Sequence, residues 1–302
     1  MKSTPPVVFN KDQPELIADY ACNTGENPLW HPIEHRLYWT DIPAGRLYRY
    51  DPATEIHECC YQGRPVGGFT IQPDGALLLF QDRGTVSLYR DGILIEIISQ
   101  IPAERTSRFN DVIADPAGRV FCGTMSSPEG KGTLYRMDLD GSLHAVLRDV
   151  GCSNGMAFSL DRRQFYFTDS FAHEIYIFNY NVEDGSIANR RVFARIEEQH
   201  GLPDGATIDA EGHLWSALWE GSCIVRLDVN GGMETRIPVP ARKVTSLTFG
   251  GPDLRDIYIT TAGGDNRKQD GPLAGSLFRV RSEIPGCPEF FSRIAVPRDG
   301  VT

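Results

Sequence analysis

A six-bladed β-propeller is the fold this sequence predicts. Three observations predict it. One strand–turn–strand pattern recurs six times, the copies are spaced 40 to 49 residues apart, and no long segment carries a helical period. The chain has 302 residues, a length that propellers reach as one unit, so the expectation is a single propeller domain over residues 1–302. Apolar residues make up 41% and charged residues 23%, enough for a large core and too few charges for disorder.

Each copy of the pattern is a turn with Asp, Gly or Pro, an apolar strand, a polar turn and a strand rich in Tyr, Leu and Arg. The first runs from His31-Pro32 through Arg36–Asp41 and Arg46–Tyr50. The second has Pro73-Asp74-Gly75, then Ala76–Phe80 and Val86–Arg90. The third has Asp115-Pro116-Ala117-Gly118, then Arg119–Gly123 and Thr133–Asp138. The fourth has Ser159-Leu160-Asp161, then Gln164–Asp169 and Glu174–Tyr180. The fifth has Asp209-Ala210-Glu211-Gly212, then His213–Ala217 and Cys223–Asp228. The sixth has Gly250-Gly251-Pro252-Asp253, then Asp256–Thr261 and Ser276–Val280. One core residue marks each copy: Leu37, Leu77, Val120, Phe165, Leu214 and Ile257, at intervals of 40, 43, 45, 49 and 43. That spacing fits one four-stranded blade per copy. A ring of blades leaves only short sheet edges, so the N-terminal segment Glu15–Tyr20 is expected to complete the last sheet beside a C-terminal strand near Phe290–Val296.

Charge and cysteine content narrow the function. The formal net charge is −10 and there is no basic run, which argues against a nucleic-acid partner. The seven cysteines are odd in number and form no C-x-x-C pair, the pattern of reduced thiols in a cytoplasmic protein. Met1–Asn10 has no apolar stretch that reads as a signal peptide. The longest apolar clusters, Ala76–Phe80 and Ile93–Ile98, are too short to span a bilayer.

In a propeller the innermost strand of each blade lines the central channel, and its first residues stand at the channel mouth. Glu26 precedes its marker by 11 residues, Asn110 by 10, Asn154 by 11 and Asp204 by 10. Four copies therefore put a metal-capable oxygen at one structural position. The matching stretches of the second and sixth copies, Val66-Gly67 and Ser246-Leu247, hold no ionisable group. Taken singly, Pro203-Asp204-Gly205 and Asn154-Gly155 read as turns, and Glu26 as a solvated loop carboxylate. Taken together, they converge, and two carboxylates at one mouth repel unless a cation sits between them. Glu26, Asn154 and Asp204 offer only oxygen, which suits Ca²⁺, Mg²⁺ or Mn²⁺ and also admits Zn²⁺. Three protein ligands leave open positions, the catalytic arrangement. Arg108 enters the same mouth, either as a donor to substrate oxygens or as an arginine paired with a nearby acid. Asp111 reads as a buttress for its neighbours. Gly151-Cys152-Ser153-Asn154-Gly155 matches G-x-S-x-G, but that motif needs a helix after the turn, and two strands follow here.

At these residues the chain resembles the regucalcin (senescence marker protein), gluconolactonase and luciferin-regenerating-enzyme family. The resemblance spans nearly the whole chain. It rests on Gly25-Glu26-Asn27-Pro28-Leu29-Trp30, Arg108-Phe109-Asn110-Asp111, Asp115-Pro116-Ala117-Gly118-Arg119, Gly123-Thr124-Met125, Ser153-Asn154-Gly155, Pro203-Asp204-Gly205 and Phe249-Gly250-Gly251. It implies a six-bladed propeller with one divalent metal ion and lactonase activity. It further implies that Glu26, Asn154 and Asp204 are the metal ligands, that Asp204 is also the catalytic acid/base, and that Arg108 and Asn110 hold substrate. Glu129 stands as the equivalent of a substrate-binding Glu, in a Ser126–Glu129 stretch shorter than in some members, and Val112 replaces a common Gly. The expected function is metal-dependent hydrolysis of small sugar lactones, such as gluconolactone, to aldonic acids, with a sugar lactone as partner and no membrane. Two other readings stay open: a non-catalytic metal-binding propeller, and an organophosphate or aryl esterase on the same metal site.

Overall fold

Short apolar stretches separated by tight turns leave each segment its sequence neighbour as the readiest pairing partner. In the computed structural model, which describes residues 13–296, the result is six four-stranded antiparallel sheets. Strand β1 (Glu15–Asp19) comes first and belongs to the last sheet. The first blade is β2 (Gly25–His31), β3 (Arg36–Asp41), β4 (Arg46–Asp51) and β5 (Ile56–Gln62). The second is β6 (Val66–Ile71), β7 (Leu77–Gln81), β8 (Val86–Arg90) and β9 (Ile93–Ile98). The third is β10 (Phe109–Ala114), β11 (Val120–Thr124), β12 (Gly132–Met137) and β13 (Leu143–Val150). The fourth is β14 (Ser153–Phe158), β15 (Gln164–Asp169), β16 (Glu174–Tyr180) and β17 (Ile187–Arg195). The fifth is β18 (Leu202–Ile208), β19 (Leu214–Trp219), β20 (Cys223–Leu227) and β21 (Met233–Pro238). The sixth is β22 (Lys243–Gly250), β23 (Asp256–Ala262), β24 (Ser276–Arg281) and β1. The six-bladed propeller expected from the repeat is thus the fold, and all six marker residues are buried on the second strand of their blades.

The first strands of the blades, β2, β6, β10, β14, β18 and β22, touch one another in a closed ring and line the channel. Six apolar clusters fill the six spaces between adjacent blades. Aromatic residues span several of these spaces, as in the edge-to-face pairs Phe80–Phe109 and Trp215–Phe249, at 5.3 and 6.1 Å between centroids. The second strands of the blades are therefore buried on both faces, whereas outermost strands such as β5 and β17 are largely exposed.

The N-terminal segment closes the ring as expected, but against a different strand. β1 pairs antiparallel with β24, Glu15 opposite Arg279 and Asp19 opposite Ser276. Residues 290–296 form no strand. Instead residues 282–296 run as a strap across the end of the channel remote from the starts of the inner strands. Backbone bonds tie Gly286 to Leu254, Cys287 to Ile208, Ser292 to Ile71, Arg293 to Gly118 and Ala295 to Leu139, so the strap crosses four blades. β1 occupies the edge of β24, and the backbone of residues 292–295 bonds instead to Ile71, Gly118 and Leu139 in other blades. All seven cysteines are free, and no helix of the described residues is long and apolar enough to cross a membrane. Met1–Asn10, read above for a signal peptide, lies outside the described residues.

Candidate active site

Each inner strand carries a register shift. The shifts fall between Glu26 and Leu29, Val66 and Gly68, Phe109 and Val112, Asn154 and Met156, Pro203 and Ala206, and Val244 and Ser246. A bulge bends its strand and re-aims a side chain. Repeated round the ring, it turns the residues ten or eleven before each marker into the channel mouth. Glu26, Asn110, Asn154 and Asp204 are each at most 5% exposed, and with Arg108 they line one cavity of about 250 Å³. Close approach of the inner strands depends on glycine here. A Cβ on Gly155 would stand 2.4 Å from the carbonyl oxygen of Asp204, and one on Gly205 would stand 2.1 Å from the hydroxyl of Ser246.

A chain of hydrogen bonds orders the floor of the cavity from the third blade to the fifth. Arg108 Nη1 donates to Asn110 Oδ1 at 2.6 Å and to the Phe109 carbonyl at 2.9 Å. Asn110 Nδ2 donates to Asn154 Oδ1 at 2.6 Å and to the Ser153 carbonyl at 2.8 Å. Asn154 Nδ2 donates to Ser170 Oγ at 2.8 Å, and Ser170 Oγ donates to the Pro203 carbonyl at 2.6 Å, one residue before Asp204. Arg108 is therefore not paired with a surface acid; its guanidinium orients Asn110 and faces the cavity.

Two carboxylates occupy this floor and a third lies beside them. Burial, and then the charge of Asp111, raise the proton affinity of Glu26 well above the carboxylate range, with Arg108 and the Asn27 N–H opposing. Burial, then Glu26 and Asp111, raise Asp204 in the same way. Asp111 is pushed up to about 7 by burial, against the pull of Arg108 and the Gly155 N–H, and its Oδ1 is buried without a partner. Asp111 does contact its neighbour's backbone as a buttress would, and it also adds negative charge to the site. Buried carboxylates that repel one another are what a divalent cation would satisfy. The oxygens of Glu26, Asp204 and Asn154 fit a hard cation in kind. Among the described residues no three His, Cys, Asp or Glu side chains form a group that could hold a metal ion.

The structure does not bring Glu129 to the cavity. It lies in the turn between β11 and β12, with its carboxylate 2.6 Å from Arg105 Nη2, and both side chains are exposed. Ser153 is buried at the start of β14, which pairs with β15 and precedes no helix, so the G-x-S-x-G match is not a nucleophile elbow. Burial also pushes the Cys152 thiol well up, away from the reactive thiolate.

Seven further residues line the cavity that the spacing did not single out, and Met125, Ser170, Phe171 and Trp219 are four of them. A signal for three of them was present. Met125, Phe171 and Trp219 follow their markers Val120, Phe165 and Leu214 by 5, 6 and 5 residues. In an antiparallel pair the end of the second strand returns to the start of the first, so the mouth has two registers and not one.

Residues 24–263 match the family described as the SMP-30/Gluconolactonase/LRE-like region. The chain is 48% identical over 285 residues to the pentonolactonase XacC of Haloferax volcanii, covering 92% of this chain and 97% of that protein. It is 38% identical over 275 residues to a 6-deoxy-6-sulfogluconolactonase of Pseudomonas putida, covering 88% and 93%. Among solved structures, a luciferin-regenerating enzyme superposes with a TM-score of 0.84 at 26% identity, over 94% of this chain and all of that one.

Proposed function

The chain belongs to the SMP-30/gluconolactonase/LRE-like family, and on that premise we propose that it hydrolyses small sugar lactones, opening aldonolactones to aldonic acids. The observation that carries this reading is the meeting of Glu26, Asn154 and Asp204 with Arg108 and Asn110 in one cavity. Glu26, Asn154 and Asp204 would hold one divalent ion, Ca²⁺, Mg²⁺, Mn²⁺ or Zn²⁺. When bound, such an ion supplies polarisation of the lactone carbonyl.

The residues of the chain supply the rest. Arg108 and Asn110 bind ring oxygens and hold the carbonyl carbon within reach of water. Asp204 accepts a proton from the attacking water. As the carbonyl re-forms, the ring C–O bond breaks and the leaving oxygen takes the proton back from Asp204. The new acid then ionises, so one proton is released per turnover. Free thiols suit a reducing compartment, and the cytoplasm is the proposed location.

The test is a proton-release assay over a panel of aldonolactones, with metal-stripped and metal-restored protein. Turnover of aldonolactones that disappears on chelation and returns with metal is expected. Metal binding without lactone turnover, or faster turnover of aryl esters than of sugar lactones, overturns the reading.

A further inference from the structure

We propose that Phe171 and Trp219 form an aromatic platform that receives the C–H face of the sugar ring and so turns its hydroxyl edge toward Arg108 and Asn110. The proposal rests on the lactonase reading and adds to it the residues that select a polyhydroxylated ring.

Phe171 sits in a one-turn 3-10 segment, Ser170–Ala172, at the cavity mouth, and is 59% exposed. Its ring is uncovered at the rim of that cavity, where a ligand can pack against it. Its place is set by its neighbours. Ser170 is fastened to Asn154 and to the Pro203 carbonyl, and the turn ends at His173 in a left-handed conformation. Gly151 leaves the room that Phe171 takes, since a Cβ there would stand 2.9 Å from Phe171 Cβ. Trp219 ends β19 opposite Leu202 of β18. The Lys243 ammonium lies 5.2 Å from a Trp219 ring centroid and is anchored by a 2.9 Å bond to the buried carboxylate of Asp270. The indole is thereby braced from the sixth blade.

The cavity is amphipathic as a result. The third blade presents a guanidinium and an amide, and the fourth and fifth blades present aromatic rings to the same cavity. A cyclic polyol has the same division, with hydroxyls round its edge and polarised C–H bonds on its face, and the negative face of an aromatic ring attracts the latter. At about 250 Å³ the space lies below the range of about 300–1,000 Å³ that drug-sized ligands occupy, so it admits one small ring.

Binding can be read without turnover. Trp30, Trp39 and Trp215 are buried, which leaves Trp219 as the tryptophan at the cavity. A five-membered hydroxylated cyclic ether, which cannot be hydrolysed, is titrated into metal-loaded protein while tryptophan emission is followed. The expected result is a saturable change in emission in the parent, and a calorimetric titration with the same ether shows weakened binding in Trp219→Leu, which lacks the reporting indole. In Phe171→Ala the affinity falls about tenfold, and the KM for aldonolactones rises as much while kcat stays within about threefold. Phe171→Leu, apolar but not aromatic, recovers only part of the affinity, and calorimetry finds metal affinity unchanged in all three variants. Parental affinity and KM in both Phe171→Ala and Trp219→Leu overturn the platform even if lactones are hydrolysed. A parental protein that binds the ether but opens no lactone overturns the lactonase reading and leaves the platform standing.

Discussion

Replacing Glu289 by Gln is expected to stabilise the protein at pH 8 and to leave it unchanged at pH 4.5. The strap carries Glu289 to the closed end of the channel, between two cavities of about 270 and 260 Å³. Its hydrogen bond among the described residues is a long one, 3.4 Å from Thr207 Oγ1. Burial raises the carboxyl from 4.5 to about 7, with the Thr207 hydroxyl opposing. A folded-state value above the unfolded one means that the fold binds the proton more tightly. The stabilisation is complete below pH 4.5 and is lost as pH rises through 7. The full difference corresponds to about 3 kcal/mol. The side chain is only half-buried by surface area, so solvent screens part of this and about 1–2 kcal/mol is expected. For a chain of this length that is about 2–3 °C in Tm. Calorimetric melts of parent and Glu289→Gln at pH 4.5 and 8 measure it. An equal difference at both pH values, or a less stable variant at pH 8, refutes the reasoning.

In Asp204→Asn, an oxygen ligand of nearly the same shape remains while charge and basicity are lost, so kcat at saturating metal is expected to fall about a hundredfold. Full kcat under that condition would make Asp204 a ligand only, and Asn154→Asp, which keeps a ligand and adds charge, is the control. Arg108→Ala is expected to raise KM with metal affinity unchanged, whereas lost metal with normal kinetics per bound ion would make Arg108 structural. Ala18, buried on β1 against β24, closes the ring. Ala18→Asp places an unpaired charge in that interface and should lower Tm by several degrees, and an unchanged Tm would contradict closure by β1.

The repeat made the blades legible because each blade is local in sequence, a meander whose strands pair with their nearest neighbours. The four polar residues at the mouth were legible for the same reason, since equal distances from equivalent markers mean equivalent places in space. Glu129 was assigned by resemblance to a motif, without a register of its own, and the structure pairs it with Arg105 instead. The strap was misjudged as a strand because its apolar residues, Phe290, Phe291 and Ile294, look the same whether they pair in a sheet or plug a channel.

By itself the sequence determined the six blades, the strand that starts each, and the ring of oxygens at the channel mouth. Each follows from periodicity, which is a property of neighbours along the chain. Only the tertiary structure decided that Asp111 adds a third charge to the site, that Ser170 links Asn154 to the strand of Asp204, and that Phe171 and Trp219 share a cavity with both. Those relations join residues 15 to 93 positions apart, several of them on different blades. They depend on how far the bulges turn each inner strand and how closely the glycines let those strands approach, and no pattern within one repeat records either.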